Sequence, residues 1–186
     1  MVPLASLWLP ILLSAVIVFL VSFIIHMVLP YHRTDYRKLP SEDAVLEALR
    51  KFDIPPGDYM FPRPASMKEM NTPEFLAKRK QGPVGVVTFM APGPFNMGGN
   101  LAQWFAYSVV VSVFAAYVTG RALGPSADYL AVFRIAGCTA FVAYSLGLWQ
   151  DSIWYKRAWS TTLKNSFDGL VYGLMTGGTL GWLWPR

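Results

Sequence analysis

The sequence predicts a mainly α-helical integral membrane protein, with four transmembrane helices and a small α+β insert between helices 1 and 2. Its residues are 54% hydrophobic and only 15% charged, whereas about 25% of residues are charged in a typical soluble domain. It has four long apolar stretches, of which three reach the roughly 20 residues that a helix needs to cross a bilayer core and the last is shorter. We place them near Leu4–Leu29, Leu101–Gly120, Tyr129–Gln150 and Gly169–Trp184.

The first apolar stretch is expected to be a transmembrane helix and not a secretory signal peptide. It lacks a basic region at its start, and its apolar run is longer than that of a signal peptide. Pro30 is expected to end this helix. The predicted organisation is helix 1 over 1–30, the insert over 31–100, and helices 2–4 over 101–186 with an interfacial segment at 151–167.

The insert carries local signals for two helices and two strands. Ser41 is expected to cap a helix with one apolar face. The run Thr72-Pro73-Glu74 predicts the start of a second helix, which ends near Lys80. Residues 84–90 are rich in β-branched side chains and are expected to pair with residues 58–61. After the insert, Asn100 is expected to cap the second transmembrane helix.

The distribution of basic residues predicts the orientation in the membrane. Ten of the sixteen Lys and Arg residues lie between the first two apolar stretches, and Lys156, Arg157 and Lys164 lie between the last two. The positive-inside rule then places both loops in the cytoplasm and both termini outside a bacterial inner membrane. Eight acidic residues are interleaved in the first loop, so no nucleic-acid partner is expected.

Two predicted helices carry a small residue at every fourth position, which forms a stripe along one side of each helix. In a membrane, small residues allow two helix backbones to approach closely. Such a stripe packs either within the chain or against another subunit, and both alternatives stay open here. The stripes consist of Gly169, Gly173, Gly177 and Gly181, and of Ser108, Ser112, Ala116 and Gly120.

Contacts with anionic lipids or with another subunit are expected at a few charged and aromatic residues. Arg134 lies inside the third apolar stretch, where a charge snorkels to the interface, meets an anionic partner or serves transport. The segment around Trp154, Lys156, Arg157 and Trp159 combines cations with interfacial aromatic residues and is expected to form an interfacial helix.

The sequence shows no motif for catalysis, for a metal or for another cofactor. Cys138 is the only cysteine, so neither a disulfide within the chain nor a thiol pair can form. His26 and His32 are the only histidines, and a metal site needs further ligands. Axial ligation of a haem or chlorophyll by His26 is the alternative. No cofactor and no enzymatic activity are expected.

The segment Ile54–Met60 and the closing Gly181–Arg186 carry a resemblance to other proteins. With them the chain resembles uncharacterised bacterial multi-pass membrane proteins, a resemblance that implies no activity. We expect an accessory subunit that stabilises a larger energy-transducing complex, respiratory or photosynthetic, whose contact with pigments or quinones stays open. The alternatives are a small transporter or channel and a membrane enzyme.

Overall fold

The structure, a computed structural model, describes residues 1–94 and 96–186 and is mainly helical. The chain divides into two compact units. A helical unit comprises Met1–Tyr36 and Asn96–Arg186, and the insert comprises Arg37–Phe95. In chain order the elements are α1 (Trp8–Phe23), α2 (Glu42–Arg50), β1 (Gly57–Phe61), α3 (Pro73–Gln81), β2 (Gly85–Phe89), α4 (Met97–Ala122), α5 (Tyr129–Ser145), α6 (Trp149–Trp154) and α7 (Trp159–Trp182).

Three helical stretches of the helical unit are long and apolar enough to cross a membrane. They are Leu4–Val28, Met97–Ala122 and Tyr129–Trp154, and they correspond to the first three predicted transmembrane helices, the first ending one residue earlier than predicted. The first includes α1 with short turns at both ends, and the third joins α5 to α6 through a 3-10 turn. α7 is not among them. It begins at Trp159 and not at Gly169, so its first half carries polar residues.

The glycine stripe of α7 packs against α5 within the chain. A Cβ atom on Gly173 would lie 2.9 Å from the backbone oxygen of Gly137, and one on Gly177 would lie 2.7 Å from that of Phe133. Gly169 faces Ser145, and Gly181 faces the ring of Tyr129. Only glycine therefore permits this close approach of the two helices.

The second stripe lies on the buried side of α4. Ser108, Ser112 and Ala116 are fully buried. A Cβ atom on Gly120 would lie 2.8 Å from the backbone oxygen of Val2. This stripe therefore also packs inside the helical unit.

α7 extends from one end of the helical unit to the other. At one end Ser126 N donates to Pro185 O (2.8 Å), and Trp184 Nε1 donates to Gly124 O (3.0 Å). At the other end, residues near the start of α7 contact the segment that follows α1. The α4–α5 loop and the C-terminus therefore share one end.

The insert contains α2, α3 and an antiparallel ribbon of β1 and β2, which confirms the predicted pairing. The register runs from Gly57 opposite Phe89 to Phe61 opposite Gly85. Of residues 37–94, only Pro62 and Phe75 are buried. Over residues 37–94 the insert therefore has secondary structure without a hydrophobic core of its own.

Three local predictions are corrected by the structure. Ser41 precedes α2 but has φ of 50° and forms no side-chain cap. α4 begins before Asn100, because Asn96 Oδ1 accepts a hydrogen bond from Gly99 N at 2.9 Å. The segment Trp154–Trp159, predicted as an interfacial helix, is not one helix: it contains the end of α6, a non-helical turn and the start of α7.

Candidate functional site

A cluster of polar side chains lies where α1 ends and α7 approaches it. We call this group the His–Asp cluster. It consists of His26, Tyr31, His32, Asp35, Lys164 and Asp168. Its members come from the end of the first helical stretch, from the turn after it and from the first half of α7.

The chain reversal at Pro30 brings the two histidines together. His26 lies in the last, π-helical turn of the first helical stretch, and Leu29 is extended with φ of −78° and ψ of 137°. A 3-10 turn then starts at Pro30 and carries His32. As a result the two imidazole rings lie 4.4 Å apart, centroid to centroid.

His32 lies between two carboxylates. Its Nδ1 is 2.7 Å from Asp35 Oδ2, a hydrogen bond in which the ring nitrogen donates to the carboxylate. Its Nε2 is 2.9 Å from Asp168 Oδ2, which is ion-pair distance, but this buried nitrogen is not aligned for a hydrogen bond. Asp168 is only 2% exposed, so its charge requires compensation.

Tyr31 supplies part of this compensation at Asp168, whereas Lys164 pairs with the other carboxylate, Asp35. Lys164 Nζ donates to Asp35 Oδ1 at 2.9 Å, to Tyr31 O at 2.6 Å and to Thr34 Oγ1 at 2.8 Å. Tyr31 donates its phenolic hydrogen to Asp168 Oδ1. Lys164 thus fixes the Oδ1 atom of Asp35, and Tyr31 fixes the Oδ1 atom of Asp168.

These contacts and burial shift the pKa values of Asp35 and Tyr31, which both lie outside the long helical stretches. Burial alone would raise the pKa of Asp35, but the hydrogen bonds from His32 and Lys164 outweigh it and lower the pKa below its usual value. Burial and then the hydrogen bond to Asp168 raise the pKa of Tyr31 well above its usual range. Asp35 is therefore a carboxylate and Tyr31 a neutral hydrogen-bond donor at neutral pH.

A cavity of about 350 Å³ adjoins the cluster. His26 and Asp168 line it on the polar side. The remaining lining is mostly aromatic and consists of Trp104, Tyr107, Tyr144, Leu148, Asn165 and Tyr172. The Tyr172 hydroxyl lies 3.4 Å from His26 Nε2. The cluster therefore has access to a space large enough for water or a small ligand.

The predicted lipid or subunit contacts lie elsewhere. Arg134 is exposed on α5 beside an apolar groove of about 170 Å³, and among the described residues it forms no ion pair. Trp154 and Trp159 are exposed at the α6–α7 junction. There Arg157 Nη1 lies 3.7 Å from Asp151 Oδ2, and Lys156 Nζ donates to Ile153 O.

Sequence reasoning considered His26 and His32 but omitted their four partners. The contact between Tyr31 and Asp168 joins residues 137 positions apart, which no local pattern reveals. One signal was present. Asp168 directly precedes the glycine stripe, and an acidic residue beside an apolar helix is a functional candidate by default.

The cluster can perform two kinds of chemistry. Imidazole and carboxylate groups can hold and transfer a proton, and the same groups can ligate a divalent cation. No protein-family model, curated protein or solved structure matches this chain. What the protein does is therefore inferred from this cluster and from the exposed faces of the insert.

Proposed function

We propose that this protein is an accessory subunit of a larger bacterial membrane complex, which it stabilises through its insert and its helices. The main support is the insert, which buries only two of its residues from 37 to 94. A domain of about 60 residues is only marginally stable even when it has a core. Another protein surface would supply the burial that the insert lacks.

The exposed apolar side chains of the insert support a protein partner. Phe52, Met67 and Met90 are between 73% and 79% exposed. The charges around them are nearly balanced, with nine basic and seven acidic residues over 37–95. A surface that binds anionic lipid would be expected to carry an excess of basic charge, whereas mixed charges around apolar anchors are typical of protein interfaces.

We further propose that α7 is the fourth transmembrane helix. Its 24 residues correspond to about 36 Å of helix, enough to cross a hydrocarbon core of about 30 Å. Its contacts at both ends of the helical unit and its tight packing on α5 support this assignment. The positive-inside rule then favours cytoplasmic loops 1 and 3, with both termini outside a bacterial inner membrane.

A substitution on the insert tests the subunit proposal. Phe52→Ser removes an exposed apolar side chain that contributes little to packing within the chain. The variant should remain in the membrane at normal levels, but its co-purification with larger membrane proteins after gentle solubilisation should fall at least severalfold. Respiratory and photosynthetic complexes are the first partners to look for by mass spectrometry.

Lys51→Ser is the matched control, because it changes the neighbouring exposed residue without removing apolar surface. It should co-purify as the wild-type chain does. If the wild-type protein is monodisperse alone and moves a solute across liposomes, the transporter alternative replaces the subunit proposal.

A membrane enzyme is the second candidate function. The observation that favours it is the His–Asp cluster beside an aromatic-lined cavity. Buried acid–base groups next to a cavity are typical of active sites. A loss of turnover per intact complex in Asp168→Asn, with assembly unchanged, would favour the enzyme over the accessory subunit.

A further inference from the structure

We propose that His26, His32 and Asp168 form a binding site for a first-row divalent cation such as Zn²⁺. Each residue offers one ligand atom, and the three atoms lie within 4.8 Å of one another. Two imidazole nitrogens and one carboxylate oxygen are a frequent ligand set for Zn²⁺ and for neighbouring divalent metals.

The orientation of His32 is the first argument. Its Nδ1–H donates to Asp35 Oδ2 at 2.7 Å, which leaves the lone pair on Nε2. A carboxylate that fixes a ligating histidine in this way is a recurring feature around protein-bound metals. Asp35 would thus be a positioning residue, since it orients the ligand His32 without itself binding the metal.

The surroundings of His32 Nε2 are the second argument. This atom is buried, has no hydrogen-bond partner among residues 1–94 and 96–186, and lies 2.9 Å from Asp168 Oδ2. Two atoms that both present lone pairs repel at this distance unless a cation lies between them. Ligand atoms that share a tetrahedral metal at bond lengths near 2.0–2.1 Å lie roughly 3.3 Å apart, so a cation would relieve this close contact by moving the two atoms apart by a few tenths of an ångström.

Charge balance is the third argument. With neutral imidazoles, the charges of Asp35 and Asp168 exceed that of Lys164 by one negative unit. Lys164 cannot supply the missing charge at Asp168, because its ammonium group is engaged by Asp35, Tyr31 and Thr34. A divalent cation next to Asp168 would compensate the buried carboxylate.

The position of His26 favours a bound metal ion over a protonated His32 as the explanation of the cluster. A protonated His32 would pair with both carboxylates and would need no third nitrogen donor. His26 nevertheless places its ring 4.4 Å from that of His32 and also borders the cavity of about 350 Å³. A metal held by three protein ligands would keep an open coordination position for water or a small ligand.

Metal titration of the full-length protein, in its native complex or in detergent, tests the site. After chelation, the wild-type chain should bind about one Zn²⁺ or Co²⁺ per chain, with visible Co²⁺ absorption bands of nitrogen and oxygen ligation. Asp168→Asn and His26→Gln should each weaken the affinity at least tenfold. Asp35→Asn keeps all three ligands and should weaken it by about 10–100-fold.

Asp43→Asn is the matched control, because Asp43 is a carboxylate of the insert outside the cluster. The affinity of this variant for Zn²⁺ should equal that of the wild type. Zn²⁺ should also raise the Tm of the wild type and of this control, but not that of His26→Gln. Since His26 is exposed, this variant should fold even if Asp168→Asn does not. The proposal is overturned if the wild type binds no stoichiometric metal, or if His26→Gln binds it unchanged.

Discussion

At the residue scale, two adjacent glycines of α7 have different surroundings. A Cβ atom on Gly177 would lie 2.7 Å from the backbone oxygen of Phe133, whereas one on Gly178 would come no nearer than 3.7 Å to Tyr129 Oη. The first glycine is required by the contact with α5, and the second is not. At Gly177 the packing against α5 therefore outweighs the low helix propensity of glycine, whereas at Gly178 only helix propensity matters.

We expect Gly177→Ala to lower the free energy of unfolding by about 1–3 kcal/mol, because the methyl group overpacks the α5–α7 contact. Gly178→Ala should be neutral or stabilising by up to about 1 kcal/mol, because alanine is the better helix former. Thermal unfolding in the same detergent compares the two variants. Equal effects would show that α5 and α7 do not approach as closely as described.

The hydrogen bond from Tyr31 to Asp168 is a second residue-scale contact with a measurable contribution. Tyr31→Phe leaves one oxygen of the buried carboxylate without its donor and should cost about 1.5–3 kcal/mol, as bonds to charged groups do. Tyr36→Phe is the control, since Tyr36 is 84% exposed. A similar Tm for both variants would mean that this bond does not contribute to stability.

At the element scale, the predictable features were those encoded by nearby residues. Thr72-Pro73-Glu74 correctly predicted the start of α3, and Thr72 Oγ1 accepts from Phe75 N. The ribbon of β1 and β2 followed from β-branched residues bordered by turns. Ser41 and Asn100 matched the same capping preferences, but the chain at Ser41 is left-handed and α4 starts earlier.

The His–Asp cluster could not be predicted in this way. It depends on the reversal at Pro30 and on the approach of α7, which are tertiary features. The sequence displayed two histidines and a distant aspartate without a spacing that joins them. The long reach of α7 was missed for a related reason, since its polar first half lacks an apolar pattern and its buried polar side chains bind residues of other segments.

The assignment of α7 as a membrane-spanning element can be tested by cysteine labelling in a Cys138→Ser background. Lys156→Cys in the α6–α7 turn should label from the same side as Ser66→Cys in the insert. Arg186→Cys and Pro125→Cys should label from the opposite side, which we expect to be outside the cell. Labelling of Arg186→Cys and Lys156→Cys from one side would show that α7 does not cross.

At the scale of the whole molecule, the two units differ in how they obtain stability. The helical unit buries residues on α1, α4, α5 and α7. Each chain end is also hydrogen-bonded to this unit, Val2 to Gly120 and Pro185 to Ser126. Over residues 37–94 the insert has two short α-helices, a 3-10 turn and a two-stranded ribbon, and such a ribbon is only marginally stable alone. We therefore expect the insert to depend on a partner while the helical unit does not.

Hydrogen exchange of the backbone amides reports whether the insert is ordered only when a partner covers it. The measurement compares the protein in the membrane assembly that we propose with the isolated chain in detergent. We expect α4, α5 and α7 to be protected in both samples, because their hydrogen bonds lie within a packed helical unit. The amides of α2, α3, β1 and β2 should be protected only in the assembly. Equal protection of the insert in the isolated chain would show that the insert is stable without a partner.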